Sequence, residues 1–148
     1  LMVSMGIRHE NVENFVTSKL ENGKYSGANI SVRLDDEWLN AALYDKSKEE
    51  KHLWDKIIHS AWKCADPGLL FWDTIIRESV ADCYKDFGFE TVTTNPCGEI
   101  PLSPYDSCRL LLLNLYSYVV NPFTNSAYFD RELFRKHCKI AVKIMDNR

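Results

Sequence analysis

The sequence predicts an α/β protein, and two kinds of periodicity in alternation predict it. Ile30, Val32 and Leu34 alternate with Asn29, Ser31 and Arg33, the period of two that a half-buried strand requires. Leu53, Trp54, Ile57, Ile58, Ala61 and Trp62 recur at the spacing of one helix face. Strand-like and helix-like segments follow one another in this manner along the chain, with no internal repeat and no low-complexity stretch.

Taken in order, Leu1–Ile7 is an apolar, strand-like run that begins without a polar lead-in, which reads as a chain starting inside a structural element. A polar turn over 8–11 leads to a short amphipathic helix through Val12, Phe15, Val16 and Leu20, ending near Asn22–Gly23. After the strand over 27–34, Asp35 and Asp36 supply the cap and first-turn acid of a helix through Trp38, Leu39, Ala42 and Leu43. The helix over 48–63 is followed by Asp66-Pro67-Gly68, which is turn chemistry, and by Leu69–Trp72, which suits a buried strand or the start of a helix toward Cys83. From Gly88 to Pro104, turn residues, threonines and three prolines with no helical period predict a loop with short extended flanks. Leu110–Leu113 with Leu115, Tyr116 and Tyr118 reads as a buried strand stopped at Asn121-Pro122. Leu133, Phe134, His137, Ile140, Ala141 and Ile144 carry a final helix, with Asp130 near its start.

Composition excludes several classes of function. With 148 residues and 45% hydrophobic content the chain has one domain's worth of core-forming material. Its 18 basic and 21 acidic residues are dispersed, giving a net charge of -3 and no basic stripe for nucleic acid. No apolar run approaches the roughly 20 residues that span a bilayer, so a cytoplasmic setting without membrane association is expected. Neither G-x-G-x-x-G nor G-x-x-x-x-G-K-[ST] is present. The five cysteines form no C-x-x-C pair and no zinc spacing, and their odd number fits a disulfide framework poorly.

Chemistry concentrates at Asn95-Pro96-Cys97-Gly98-Glu99. On a strand-like backbone the amide, thiol and carboxylate would face one side, while Pro96 restricts Asn95 and Gly98 leaves space beside the sulfur. Alone, the pattern more commonly means a buried cysteine in a turn with a solvated glutamate nearby. The stretch Thr93–Leu102, however, closely resembles the finger loop of ribonucleotide reductase catalytic subunits, which carry N-x-C-x-E inside their barrel. Asp106-Ser-Cys-Arg-Leu110 leading into Leu113-Asn-Leu115 resembles the strand bearing one cysteine of that family's redox pair. Arg8-His9 with Val12–Phe15, Gly27–Val32 with Asp36-Glu37, and Asp66–Phe71 resemble earlier segments in the same order, so the resemblance covers nearly the whole chain.

The resemblance implies a partial α/β barrel, with residues 1–148 as a fragment of the catalytic barrel domain. It implies reduction of a ribonucleotide to a deoxyribonucleotide by thiyl-radical chemistry, with the fragment inactive alone. Cys97 would remove the ribose 3′ hydrogen, Glu99 would act as base on the 3′ hydroxyl, Asn95 would position the sugar, and Cys108 would be one member of the reducing pair. The form with Pro96 and Gly98 is most similar to the adenosylcobalamin-dependent class, although the oxygen-dependent class shares the three functional residues. Implied partners are the nucleotide, a thioredoxin- or glutaredoxin-type reductant, and the rest of the catalytic subunit, as a homodimer.

Two other readings stand beside this one: a cysteine-nucleophile hydrolase, which needs a histidine near Cys97, and a non-catalytic binding or regulatory relic. Cys64, Cys83 and Cys138 are expected to be structural. His137 is expected to be packed, and the four tryptophans are expected to belong to the core.

Overall fold

The computed structural model describes residues 1–20, 25–44 and 48–146. It divides into two compact units, Leu1–Ser107 and Cys108–Arg148. The first is built on a three-stranded parallel sheet in the order β1 (Met2–Gly6), β2 (Asn29–Leu34), β3 (Gly68–Phe71). Val3 lies opposite Ile30, Met5 and Leu69 flank Val32, and Leu70 lies opposite Arg33. The α/β class is as expected. Among the described residues the sheet is open rather than closed into a barrel.

Three helices cover one face of this sheet. They are α1 (Val12–Thr17), α2 (Asp36–Leu43) and α3 (Lys48–Cys64). Their apolar stripes meet the inward set of β2: Val12, Val16, Trp38, Ala42 and Ile57 form one buried cluster with Ile7, Val32 and Leu34. Asp35 caps α2 as expected, its carboxylate accepting from the Trp38 N–H at 2.8 Å. Helix α1 is shorter than expected, and the end predicted near Asn22–Gly23 lies outside the described residues.

The buried Ser31 side chain on the opposite face leaves no room for one at Gly68, where a Cβ would stand 2.7 Å from Ser31 Oγ. Before β3, Asp66 pairs with Lys19 at 2.9 Å and accepts from the Ile30 N–H at 3.4 Å, tying the entry of β3 to the start of β2. Residues 69–71 are strand, and the chain turns at once into α4 (Trp72–Glu78), so both halves of the two-way expectation occur in succession. A short 3₁₀ segment, Asp82–Phe87, follows, and then a hairpin of β4 (Thr93–Thr94) and β5 (Pro101–Leu102).

In the second unit, the strand expected over Leu110–Tyr118 does not form. Residues 108–114 are irregular, and Asn114 caps a 3₁₀ turn over Leu115–Tyr118, its side chain accepting from the Tyr116 N–H at 3.1 Å. Leu112 is 95% exposed. No strand pairs with this run among the described residues, so a ladder has nowhere to send its backbone hydrogen bonds. Short strands β6 (Val119–Val120) and β7 (Tyr128–Phe129) pair antiparallel, and α5 (Arg131–Asp146) is the expected final helix, with Asp130 accepting from the Leu133 N–H at 2.9 Å. His137 is packed as expected, its Nδ1 3.0 Å from the buried Tyr118 hydroxyl.

Two expectations about packing fail. Trp62 is 80% exposed at the solvent side of α3, its ring tilted against that of His59, and Cys83 is exposed in the 3₁₀ segment. Among the described residues, no helix is long and apolar enough to cross a membrane.

Candidate active site

The six-residue loop 95–100 at the tip of the β4–β5 hairpin carries Asn95, Cys97 and Glu99. Its base is closed twice by one residue pair. The Asn95 N–H donates to the Ile100 carbonyl at 3.2 Å, and the Ile100 N–H donates to Asn95 Oδ1 at 3.0 Å. Within the loop, the Gly98 N–H donates to the Asn95 carbonyl at 3.0 Å, closing a β-turn over Asn95–Gly98. Local sequence accounts for that turn: asparagine suits its first position, proline presets φ at the second, and glycine suits the fourth. Gly98 has φ +82°, while Cys97 stays out of the left-handed region.

The geometry departs from the extended loop expected from the alternate spacing. Because the backbone turns, strand alternation does not govern the three side chains. Asn95 is 4% exposed and holds the loop closed, whereas Cys97 and Glu99 are exposed at the tip. Cys97 Sγ has no hydrogen-bond partner among the described residues, and none of the four histidines is paired with it.

Two contacts seat the tip on the sheet. Asn29 Nδ2 donates to the Pro96 carbonyl at 3.4 Å, and Gly98 lies against the Leu70 side chain. Asn29 alternates with the core-facing Ile30, and Leu70 is in register with Arg33, so both contacts belong to the face turned away from the helices. On that same face the Arg33 guanidinium stacks over Trp72, 4.8 Å from the ring centre. The entry to the hairpin is anchored separately. Asp82 accepts from the Thr91 N–H at 3.0 Å and from its hydroxyl at 2.5 Å. Burial opposes ionisation of Asp82, but the hydrogen bonds from Thr91 and Ser79 outweigh it and hold the carboxyl below its ordinary range.

Sequence reasoning did not single out Asn29, Leu70 or Asp82. The alternation in β2 puts Asn29 on the face opposite Val32, but nothing local says that a loop 67 residues later rests there. Cys108 opens the second unit, half-buried, in the irregular segment rather than on a strand. None of the five cysteines takes part in a disulfide.

A family model described as the barrel domain of ribonucleotide reductase matches residues 37–148. The chain is 39% identical over 136 residues to the vitamin B12-dependent ribonucleoside-diphosphate reductase of Thermoplasma acidophilum, a match covering 80% of the chain and 17% of that protein. It is 33% identical over 161 residues to the enzyme of the same name from Mycobacterium tuberculosis, covering 99% of the chain and 22% of that protein. The vitamin B12-dependent ribonucleotide reductase of Streptomyces clavuligerus is 26% identical over 183 residues, covering 98% of the chain and 18% of that protein. The chain thus spans about a fifth of the length of the curated relatives it matches.

Proposed function

Since this chain belongs to the ribonucleotide reductase barrel-domain family, we propose that it carries the thiyl-radical site at which a ribonucleotide is reduced, and that its open sheet is an arc of the catalytic barrel. The observation that carries the reading is the turn over Asn95–Gly98, which presents an exposed thiol at a hairpin tip two residues from an exposed carboxylate. The names of the relatives at 39% and 33% identity favour a ribonucleoside diphosphate as the substrate.

In the proposed sequence, Cys97 as a thiyl radical takes the 3′ hydrogen of the ribose, forming S–H and a carbon radical. Glu99 accepts the 3′ hydroxyl proton, for which its carboxylate must come within about 3 Å in the complex. The 2′ hydroxyl leaves as water. Cys108 and a second thiol supply two electrons and two protons by closing to a disulfide, one proton going to the leaving 2′ hydroxyl and the other to C2′ with the electrons; Glu99 then returns its proton to the 3′ oxygen, and Cys97 returns its hydrogen to C3′. Asn95, whose Oδ1 holds the loop through the Ile100 N–H, is assigned the positioning of the sugar.

Adenosylcobalamin, when bound, would supply the radical that takes the hydrogen atom from the Cys97 thiol. The exposed Sγ, which no described residue engages, fits that demand, while the surface that would hold the cobalamin is not assigned to residues of this chain. A thioredoxin- or glutaredoxin-type protein would restore the dithiol, and the working enzyme would be a homodimer of the full catalytic subunit in the cytoplasm. The hydrolase reading is disfavoured by the lack of a histidine paired with Cys97 among the described residues.

Replacing Cys97 with serine in the full-length enzyme tests the radical role. Serine is nearly isosteric, but its O–H bond is too strong to yield the radical. Deoxynucleotide formation should vanish while nucleotide binding persists. Turnover by Cys97→Ser would overturn the reading.

A further inference from the structure

The peptide unit between Pro96 and Cys97 is held from outside the loop. Its carbonyl accepts from Asn29 Nδ2 at 3.4 Å, and the residue on the other side of the thiol, Gly98, rests on Leu70. Cys97 is therefore flanked by two contacts, one polar and one apolar, made by different strands of the sheet.

Rotation of the Pro96–Cys97 peptide plane is coupled to φ of Cys97, and φ sets the direction of the Cα–Cβ bond and hence of the sulfur. The turn's own hydrogen bond, from the Gly98 N–H to the Asn95 carbonyl, closes the ring but does not by itself fix this central plane, since type I and type II turns share that bond; the flipped form would put Cys97 at positive φ, which its side chain disfavours, and Asn29 adds to that preference. Asn29 bonds directly to the oxygen that such a flip would carry to the other side. Leu70 limits sideways movement of Gly98 but cannot select between the two orientations.

We infer that Asn29 is a positioning residue for the Cys97 thiol, acting through the Pro96 carbonyl to fix the peptide plane that aims the sulfur. This rests on the reading of Cys97 as the hydrogen-abstracting group. The side chain needed is a donor of this length. Aspartate, isosteric but an acceptor facing a carbonyl, should release the plane, and glutamine should restore part of the contact. Hydrogen-atom transfer is steep in distance and angle, so a misdirected sulfur penalises abstraction and leaves nucleotide binding in place.

The test uses the full-length enzyme with Asn29→Asp and Asn29→Gln, assayed with protiated and 3′-deuterated ribonucleotide. The expected result for Asn29→Asp is a kcat lowered roughly tenfold or more with KM little changed, together with a larger 3′-deuterium isotope effect because abstraction has become the slow step. Asn29→Gln should recover part of both. A merely structural role would reduce the active fraction and leave the isotope effect at its original value, and that outcome overturns the inference, as does an unaltered kcat. If Cys97→Ser is inactive and Asn29→Asp behaves as the parent does, only the positioning role fails. If Cys97→Ser turns over, the underlying reading fails with it.

Discussion

Gly98 and Leu70 are in contact so close that a methyl group on Gly98 would stand 3.2 Å from Leu70 Cδ2. The glycine also sits at φ +82°, where an L side chain is strained. Gly98→Ala should therefore cost the hairpin about 1–3 kcal/mol, through backbone strain and displacement of Leu70. Faster hydrogen exchange at the Ile100 and Leu102 amides of the full-length protein would report it. Unchanged protection would mean that the turn is not seated on β3.

Glu99 is assigned the proton of the 3′ hydroxyl, a task that glutamine cannot perform although it fills the same space. Glu99→Gln in the full-length enzyme should lower kcat by roughly 10²–10⁴-fold and leave nucleotide affinity within a small factor. Retention of parental kcat would remove Glu99 from the mechanism.

Cys108 is assigned electron supply, a step separate from abstraction. Cys108→Ser should block turnover supported by a dithiol yet leave a 3′-deuterium exchange reaction at Cys97 detectable. Multiple turnovers by Cys108→Ser with dithiol as the sole reductant would be incompatible with this role.

Acid should loosen the start of α2. The Arg8 guanidinium donates to both oxygens of Asp35, at 2.8 and 2.9 Å, and chiefly through this hydrogen bonding holds the Asp35 carboxyl below its ordinary value of 3.8. A carboxyl whose pKa is depressed by folding contributes stability above its unfolded pKa and loses it as pH falls through the lower folded value. The contribution is thus intact at neutral pH, begins to fall near 3.8 and is gone only below the lower folded value. Arg8→Met should reduce the acid sensitivity of α2 in that window, read by carboxyl chemical shifts and amide exchange near Trp38. An Asp35 titration unaltered by the substitution would show that the pair is not formed in solution.

What the sequence makes legible follows the range of the interactions concerned. Helices α3 and α5 and the cap at Asp35 rest on neighbours within a few turns, and periodicity discloses them. The turn at Asn95-Pro96-Cys97-Gly98 is written in residue types that each favour their own position. The leucine run at 110–113 misleads because a short apolar stretch does not state its own conformation: only a paired strand would make it one, and none is paired with it among the described residues. The N-x-C-x-E spacing misleads in another way, since it assumes an extended backbone where Pro96 and Gly98 make a turn. Asn29 is invisible as a support for Cys97 because the contact spans 67 residues.

The alternation within β2 amounts to a division of labour along a single strand. Ile30, Val32 and Leu34 face the helix layer and answer for whether the protein stays folded, while Asn29, Ser31 and Arg33 face the side on which the thiol-bearing turn rests. Conservative changes at Val32 and Leu34 should therefore surface as altered melting, and those at Asn29 as altered turnover. The arrangement also has one shared point of failure. A single-residue insertion near Ser31 would exchange the two sets at a stroke and turn both faces inside out.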